Sequence, residues 1–317
     1  MLGSFLLLLN ALKRDTFLLN FSENTKLILV ALLSIFLMGF VPALIHGISA
    51  NEATIGTVRL AIAAAGIGLI MCFAKQFKRV GRRDFIWLVI LGLTFAVHWY
   101  MYFWSIKRAG ASLAAIAVCT FGIHLLFVNR LFLKEPIGRT DLIAVIVAFA
   151  GVYIATPVDS ASLVQTYGFI VGILSGFLYA CLPAINRQIS HLSTNMRALG
   201  QFGFGLVGFS FIWPMTDWQL SLKDWSGLVV LGVMCTLGAH TLWNKASTEL
   251  PGPLAAVIYY LYIPWAMVIS VVLLNEAITW QMLLGAGLII AANIVVALFH
   301  RKPKAIAQSS GLAEKPG

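Results

Sequence analysis

The chain has 317 residues, 60% hydrophobic and only 11% charged, with a formal net charge of +10 and a mean hydropathy of +0.91. Soluble domains carry about 25% charged residues and keep a polar exterior, so a water-soluble globule is excluded and lipid is the solvent for most of this surface. The basic residues sit in short loops between apolar runs rather than in a patch, which excludes nucleic acid as a partner and points to membrane topology.

Residues 1–25 open the chain with an apolar run from Phe5 to Leu9 followed by Lys13 and Arg14. A signal peptide has the reverse order and a small-residue cleavage site. The segment reads as a cytoplasmic amphipathic helix on the membrane, or as an extension without a role.

A membrane-crossing helix needs about 20 apolar residues. Runs of that kind predict spans over 26–46, 53–74, 85–106, 109–133 and 138–156, then over 166–186, 195–215, 225–246, 252–274 and 278–299. The expected fold is therefore all-α, a polytopic membrane protein with ten transmembrane helices. Residues 301–317 form a short polar tail, expected to be disordered and cytoplasmic.

The spans fall into two copies. The run LLSIFLMGFVPALIHGIS beginning at Leu32 returns as ILSGFLYACLPAINRQIS beginning at Ile173, with Pro42 on Pro183 at a spacing of 141 (183 − 42). The same spacing carries Leu113, Ala114 and Ala115 onto Leu254, Ala255 and Ala256, and Glu135 onto Glu276. Leu91 and Gly92 meet Leu231 and Gly232 one residue earlier. Two five-helix repeats, 26–157 and 158–300, result. Five crossings being odd, the second copy enters the bilayer inverted, the layout of transporters whose site lies between the repeats near the midplane.

Lys75, Lys78, Arg79, Arg82 and Arg83 crowd the loop after the second span, and most other loop cations share that side. Lys107, Arg108 and Lys223 alone oppose them. The positive-inside rule then puts both termini in the cytoplasm.

Packing signals lie inside the spans. Gly168, Gly172 and Gly176 form a double GxxxG in the sixth span, and Gly203, Gly205 and Gly208 crowd the seventh, permitting close helix approach. Pro42 and Pro183 remove a backbone hydrogen bond at mirrored depths, as kinks or as gates. Cys72, Cys119, Cys181 and Cys235 lie in apolar runs without metal-type spacing and read as packing residues; no metal or other cofactor is expected.

No proposed span interior holds a carboxylate; Asp84, Glu135, Asp141, Asp217, Asp224, Glu249 and Glu276 fall near span ends, where charge is tolerated. Arg59 lies about two turns into the second span, with Arg197 as its nearest counterpart in the second copy. It either snorkels to the interface or anchors a carboxylate or phosphate. His98 and His240 occupy nearly equivalent places in the third and eighth spans; the reading is a satisfied polar group or a proton-handling pair. His124 has no counterpart and reads as structural. Tyr102, Tyr179, Trp243, Tyr259 and Tyr262 belong either to the interfacial aromatic belt or to a cavity. Tyr259 and Tyr262 share one helix face well inside the span. Such rings and hydroxyls suit a small amphipathic or zwitterionic solute. The sequence contains no HExxH, GxSxG, P-loop or Rossmann glycine pattern, so an enzyme is not expected, and ATP-driven pumping would need a partner subunit.

The polar signature closing the fourth span, LFLKEPIG at 131–138, and its echo LLNEAITW at 273–280 resemble those of EamA-type transporters of the drug/metabolite transporter superfamily. Arg59, Leu91 and Gly92, and the stretch from Ser112 to Ile116 also fit, and the resemblance covers roughly residues 26–300. It implies ten helices, an inverted pseudo-two-fold, cytoplasmic ends in a bacterial inner membrane, and a central cavity lined by spans one, three, four, six, eight and nine. It also implies a cargo of amino acids or other small metabolites, commonly exported. Two departures stand out. Where the family has a proline thirteen residues before the closing Glu, Gly122 takes that place in the first copy, and Pro264 lies twelve before Glu276 in the second.

The expected function is a secondary transporter of small metabolites by alternating access. His98, Tyr102, Tyr179, His240, Trp243, Tyr259 and Tyr262 are the candidate substrate-binding residues, with Arg59 as anionic anchor. An exchanger or importer of a nucleotide-linked, phosphorylated or sulfonium metabolite is the alternative within transport. A membrane-embedded enzyme or scaffold is the alternative outside it.

Overall fold

Lipid offers no partner to a bare peptide group, so an apolar chain satisfies its backbone within helices. The computed structural model describes residues 23–134, 137–156, 163–250 and 252–299, and these are helical throughout, with no strand among them. The proposed N-terminal surface helix, Glu135 and the polar tail lie outside the described residues.

In chain order the helices are α1 (Glu23–Met38), α2 (Val41–Gly47), α3 (Glu52–Phe73), α4 (Arg82–Ala109), α5 (Ala111–Val118), α6 (Phe121–Leu133) and α7 (Arg139–Ala155). The second half holds α8 (Leu163–Gln188), α9 (Thr194–Ser210), α10 (Leu222–Val230), a π-helical segment (Leu231–Gly238) and α11 (Ala239–Glu249). It closes with α12 (Gly252–Tyr260), α13 (Tyr262–Leu274) and α14 (Trp280–Phe299). Several of these join end to end. Among the described residues, eight helical stretches are long and apolar enough to cross a membrane: Asn24–Gly47, Glu52–Phe73, Arg82–Ala109, Ala111–Phe132, Leu163–Gln188, Leu222–Ser247, Val257–Leu274 and Trp280–Phe299. The protein is thus a multi-pass membrane protein. The other two expected spans correspond to α7 and α9, of 17 residues each, which rise about 25 Å and sit at the short edge of what crosses hydrocarbon.

The repeat appears in where helices break. The fourth expected span is interrupted at Cys119 and Thr120, and the ninth at Leu261, a spacing of 141 (261 − 120) from Thr120. In the second copy Pro264, on the first turn of α13, cannot donate to the carbonyl of Tyr260. No proline acts in the first copy. There Thr120 Oγ1 donates to the Ala117 carbonyl at 2.7 Å, and Gly122 leaves room for a neighbour: a Cβ on it would sit 1.9 Å from Tyr260 Oη and 2.1 Å from Asn293 Oδ1. The interruption therefore survives the loss of the family's proline. Both spans also end alike, on left-handed Lys134 (φ 56°) and Asn275 (φ 53°), again 141 apart.

Other breaks are not shared. The first span is interrupted at Gly39 and Phe40, with Pro42 near the start of α2, whereas α8 runs through Pro183 uninterrupted. The π segment of the second copy faces a regular helix in the first. The two halves thus hold different conformations of one plan.

Small residues set the helix crossings. A Cβ on Gly168 would meet the Ala109 backbone nitrogen at 2.7 Å, one on Gly172 the Ala117 Cβ at 2.7 Å, and one on Gly176 the Val118 carbonyl at 2.8 Å. The double GxxxG thus lays α8 on α4 and α5. Gly92 packs on the backbone of Phe204 and Gly205 in α9, and Gly232 on Ile62 in α3. The repeated Leu-Gly pair therefore makes the same crossing twice, third span on seventh and eighth on second. Gly203 has nothing within 4 Å of an added Cβ and serves no such contact.

Polar ties mark the two ends of the bundle. At one end Asp224 accepts from Ser49 N and Ser49 Oγ, both at 2.7 Å, and Thr54 exchanges hydrogen bonds with Asp217. Lys107 there donates to the Ile48 carbonyl, and Arg108 pairs with Glu52. Two of the three cations that broke the loop-charge pattern thus have local partners. At the other end His191 meets Asp84 at 2.9 Å and Asn195 meets Gln76 at 2.6 Å, both exposed. The loop 74–81 of the first copy and its equivalent 211–221 therefore lie at opposite ends.

Candidate functional site

One cavity lies where the two halves meet. Met38, Val41, Arg59, His98, Trp99, Tyr102, Phe103, Val118, Tyr179, His240, Tyr259 and Tyr262 line it, and it encloses about 30 Å³, room for roughly one water molecule. All the candidate residues except Trp243 are on this lining, and Trp243 lies behind it with its ring 5.2 Å from that of Tyr259. Tyr102, Tyr259 and Tyr262 are buried, which removes them from an interfacial belt. His124 is elsewhere, half-buried and 3.2 Å from Thr120 Oγ1.

The lining is a closed circuit of rings. The Tyr102 and Tyr262 hydroxyls hydrogen-bond at 2.5 Å. Tyr262 stacks on Tyr259 at 5.9 Å, Tyr259 on Tyr179 at 5.7 Å, Tyr179 on His98 at 5.0 Å, and His98 on Tyr102 at 6.1 Å. Offset stacks at such separations lie in the favourable range for aromatic pairs. His98 is fixed by Ser175 of α8: its Nδ1 is 2.9 Å from the Ser175 carbonyl, while the Ser175 hydroxyl donates to the His98 carbonyl at 3.0 Å. The Ser175 hydroxyl oxygen also lies 2.8 Å from Nδ1, so this one residue holds the ring by both its carbonyl and its side chain.

Arg59 forms the other wall. It is 1% exposed, which excludes snorkelling. Its guanidinium carbon lies 4.1 Å above the Trp99 ring and 5.1 Å from that of Phe103, and Nε donates to Thr236 Oγ1 at 3.0 Å. Thr236 belongs to the π segment, where its hydroxyl donates five residues back to the Leu231 carbonyl at 2.7 Å. Wide turns of this kind are frequent at functional sites; here one presents an oxygen to a buried cation. His240 packs on the far side, its ring 5.7 Å from Trp99 and 5.8 Å from Phe95.

The repeat spacing explains the lining and corrects one pairing read from the sequence. At 141, Tyr179 falls on Met38, His240 on Trp99 and Tyr259 on Val118, and all six line the cavity. Trp243 falls on Tyr102. Arg59, however, falls on buried Gln201, because the second and seventh spans start at Glu52 and Thr194, 142 apart (194 − 52). Arg197 is not its counterpart: it starts α9, 3.5 Å from Asn186 Oδ1 and from Thr194 Oγ1. His98 falls on Ala239, next to His240, so the two histidines stand at near-equivalent rather than strictly equivalent places. Met38, Val41, Trp99, Phe103 and Val118 escaped the sequence reading because they are ordinary apolar residues; the spacing applied to Tyr179, His240 and Tyr259 points to Met38, Trp99 and Val118.

Glu276 stands outside the cavity, at the end of α13. It accepts from Ser112 N at 3.1 Å and Ser112 Oγ at 2.7 Å, capping α5, which follows Gly110 in a left-handed conformation (φ 97°). A carboxylate at a helix N-terminus is favourable, so this residue ties the ninth span to the fourth. Among the described residues no group of His, Cys, Asp or Glu is placed to hold a metal ion.

The model of the EamA-like transporter family matches the chain twice, over residues 25–156 and 166–298. The uncharacterized transporter YetK of Bacillus subtilis is 21% identical over 250 residues, covering 75% of each chain. Two uncharacterized transporters of Archaeoglobus fulgidus are each 23% identical, over 65% and 78% of this chain and 73% and 88% of theirs. A protein of known crystal structure superposes with a TM-score of 0.63 over 87% of this chain and 98% of its own, at 14% identity, a likeness of fold alone.

Proposed function

The chain belongs to the EamA-like transporter family, and on that premise we propose that it is a secondary transporter carrying amino acids or similar small metabolites through the central cavity, outward across a bacterial inner membrane. The observation that carries this reading is the cavity itself, lined at equivalent positions by both halves. In this reading the ten spans form two inverted repeats with both termini cytoplasmic. The opposite placement of loops 74–81 and 211–221 and the loop-charge bias support it.

His98, Tyr102, Tyr179, His240, Trp243, Tyr259, Tyr262 and Arg59 would contact cargo. The end tied by Asp224, Lys107, Arg108 and Glu276 is the closed gate in this conformation, and rocking one half against the other would break those ties. A phosphorylated cargo would call for several cations, and among the described residues Arg59 is the one Lys or Arg on the lining. Uptake of a panel of labelled amino acids and small metabolites into proteoliposomes tests the proposal; no solute moving faster than into empty vesicles rejects it.

Proton coupling, if present, would run through His98 or His240, since among the described residues no carboxylate lines the cavity beside Arg59 and the four tyrosines. The double variant His98→Gln, His240→Gln is expected to flatten the dependence of flux on pH between about 5 and 8. A pH profile identical to that of the unaltered protein sinks this assignment.

A further inference from the structure

Resting on the transporter reading, we propose that Arg59 binds the carboxylate of a monoanionic organic solute. The guanidinium is always charged and offers five donors in a rigid fork that matches a carboxylate. Of these, Nε is spent on Thr236 Oγ1 at 3.0 Å, and Nη1 is buried without a hydrogen-bond partner. The faces of Trp99 and Phe103 compensate part of the charge. They supply no acceptor for the free N–H.

A buried cation is retained at a cost unless an anion pairs with it. Among the described residues no Asp or Glu is on the cavity lining. The missing anion must therefore come with the cargo. Its charge is single, because among the described residues Arg59 is the one Lys or Arg on the cavity lining. A dianionic phosphate would leave one charge uncompensated among rings.

The remaining polar groups are neutral. Two hydroxyls sharing one hydrogen bond leave one O–H over, so the Tyr102 and Tyr262 pair has a second donor to offer a carboxylate. The stacked faces of Tyr179 and Tyr259 suit an apolar or flat body. At about 30 Å³ the cavity is too small for such a solute, which enters a wider state with the same lining.

The rival role for Arg59 is a staple holding α3 to the aromatic face of α4. Binding of benzoate and of its uncharged isostere benzamide to the purified full chain separates the two. The unaltered protein is expected to bind benzoate with a Kd at least tenfold lower than benzamide. Arg59→Gln is expected to abolish the difference, and Arg59→Lys, which keeps the charge, to retain part of it. Should Arg59→Gln not fold, the comparison in unaltered protein and in Arg59→Lys decides alone. Equal affinities, or no binding of either, overturn the assignment, as does phenylphosphonate dianion binding as tightly as benzoate. Flux in proteoliposomes keeps the two readings apart. Transport of neutral or cationic solutes without benzoate selectivity removes the carboxylate site and leaves the transporter. Charge-selective benzoate binding with no flux of any solute does the reverse.

Discussion

Gly92→Leu is expected to abolish the folded protein, whereas Gly203→Ala should leave it intact. A Cβ on Gly92 would lie 2.4 Å from the Phe204 Cβ and 2.8 Å from the Gly205 nitrogen and the Phe204 carbonyl carbon. Two of those three atoms are backbone and have no rotamer to adopt. One added methyl in such a place costs about 1–3 kcal/mol, and a leucine side chain forces α4 and α9 apart. Total stabilities are only about 5–15 kcal/mol, so little folded protein remains. At Gly203 nothing stands within 4 Å, and alanine in a helix interior gains roughly 1 kcal/mol over glycine. The size-exclusion profile and thermal midpoint in mild detergent report both variants. A monodisperse, unshifted Gly92→Leu would show that the third and seventh spans do not cross here.

Glu276→Ala is expected to open the gate that its carboxylate helps hold. The side chain is half-buried and accepts three contacts from Ser112, two from the backbone nitrogen and one from the hydroxyl. Hydrogen bonds to charged groups contribute about 1.5–3 kcal/mol when buried. Half exposure argues for the lower figure, about 1.5 kcal/mol, which shifts a two-state equilibrium roughly tenfold. Val41 lines the cavity, so Val41→Cys, in a chain stripped of its four native cysteines, reports access. Labelling by a membrane-impermeant maleimide from the Glu276 side should speed up about tenfold in the Ala variant. An unaltered rate would mean that the tie caps a helix and gates nothing.

Much of this architecture was legible because lipid narrows the choices. Long apolar runs must be helices, and their lengths and breakpoints can be counted along the chain. The spacing of 141 between Pro42 and Pro183 anticipated the matched breaks at Thr120 and Leu261 and the matched left-handed Lys134 and Asn275. Tyr259 and Tyr262 were read as a pair on one helix face; they do stack, at 5.9 Å, but across the break at Leu261.

The site was legible only in part. Sequence placed Arg59 two turns into its span but left snorkelling and anchoring equally open, since a long side chain reaches either way. Only packing decided, by setting Trp99 and Phe103 against its face. The π segment that turns Thr236 toward it has no signature in the letters of Leu231–Gly238, because a wide turn is stabilised by what it meets across the helix interface. The near equivalence of His98 and His240 came from likeness of residue type, and only packing shows that one ring stacks on Tyr179 and the other lies by Trp99.

By itself, then, the sequence determined a membrane solvent, a helical chain, its duplication and its family, all of which depend on patterns along one dimension: apolar run length, loop charge and repeat spacing. The tertiary structure decided which side chains face one another across the two halves, which helices break and which run through, and that a lone cation lies among rings. Those outcomes depend on contacts between residues 59, 99 and 236, which no local period records, because helix crossing angles and the room left by glycines bring them together only after the halves dock.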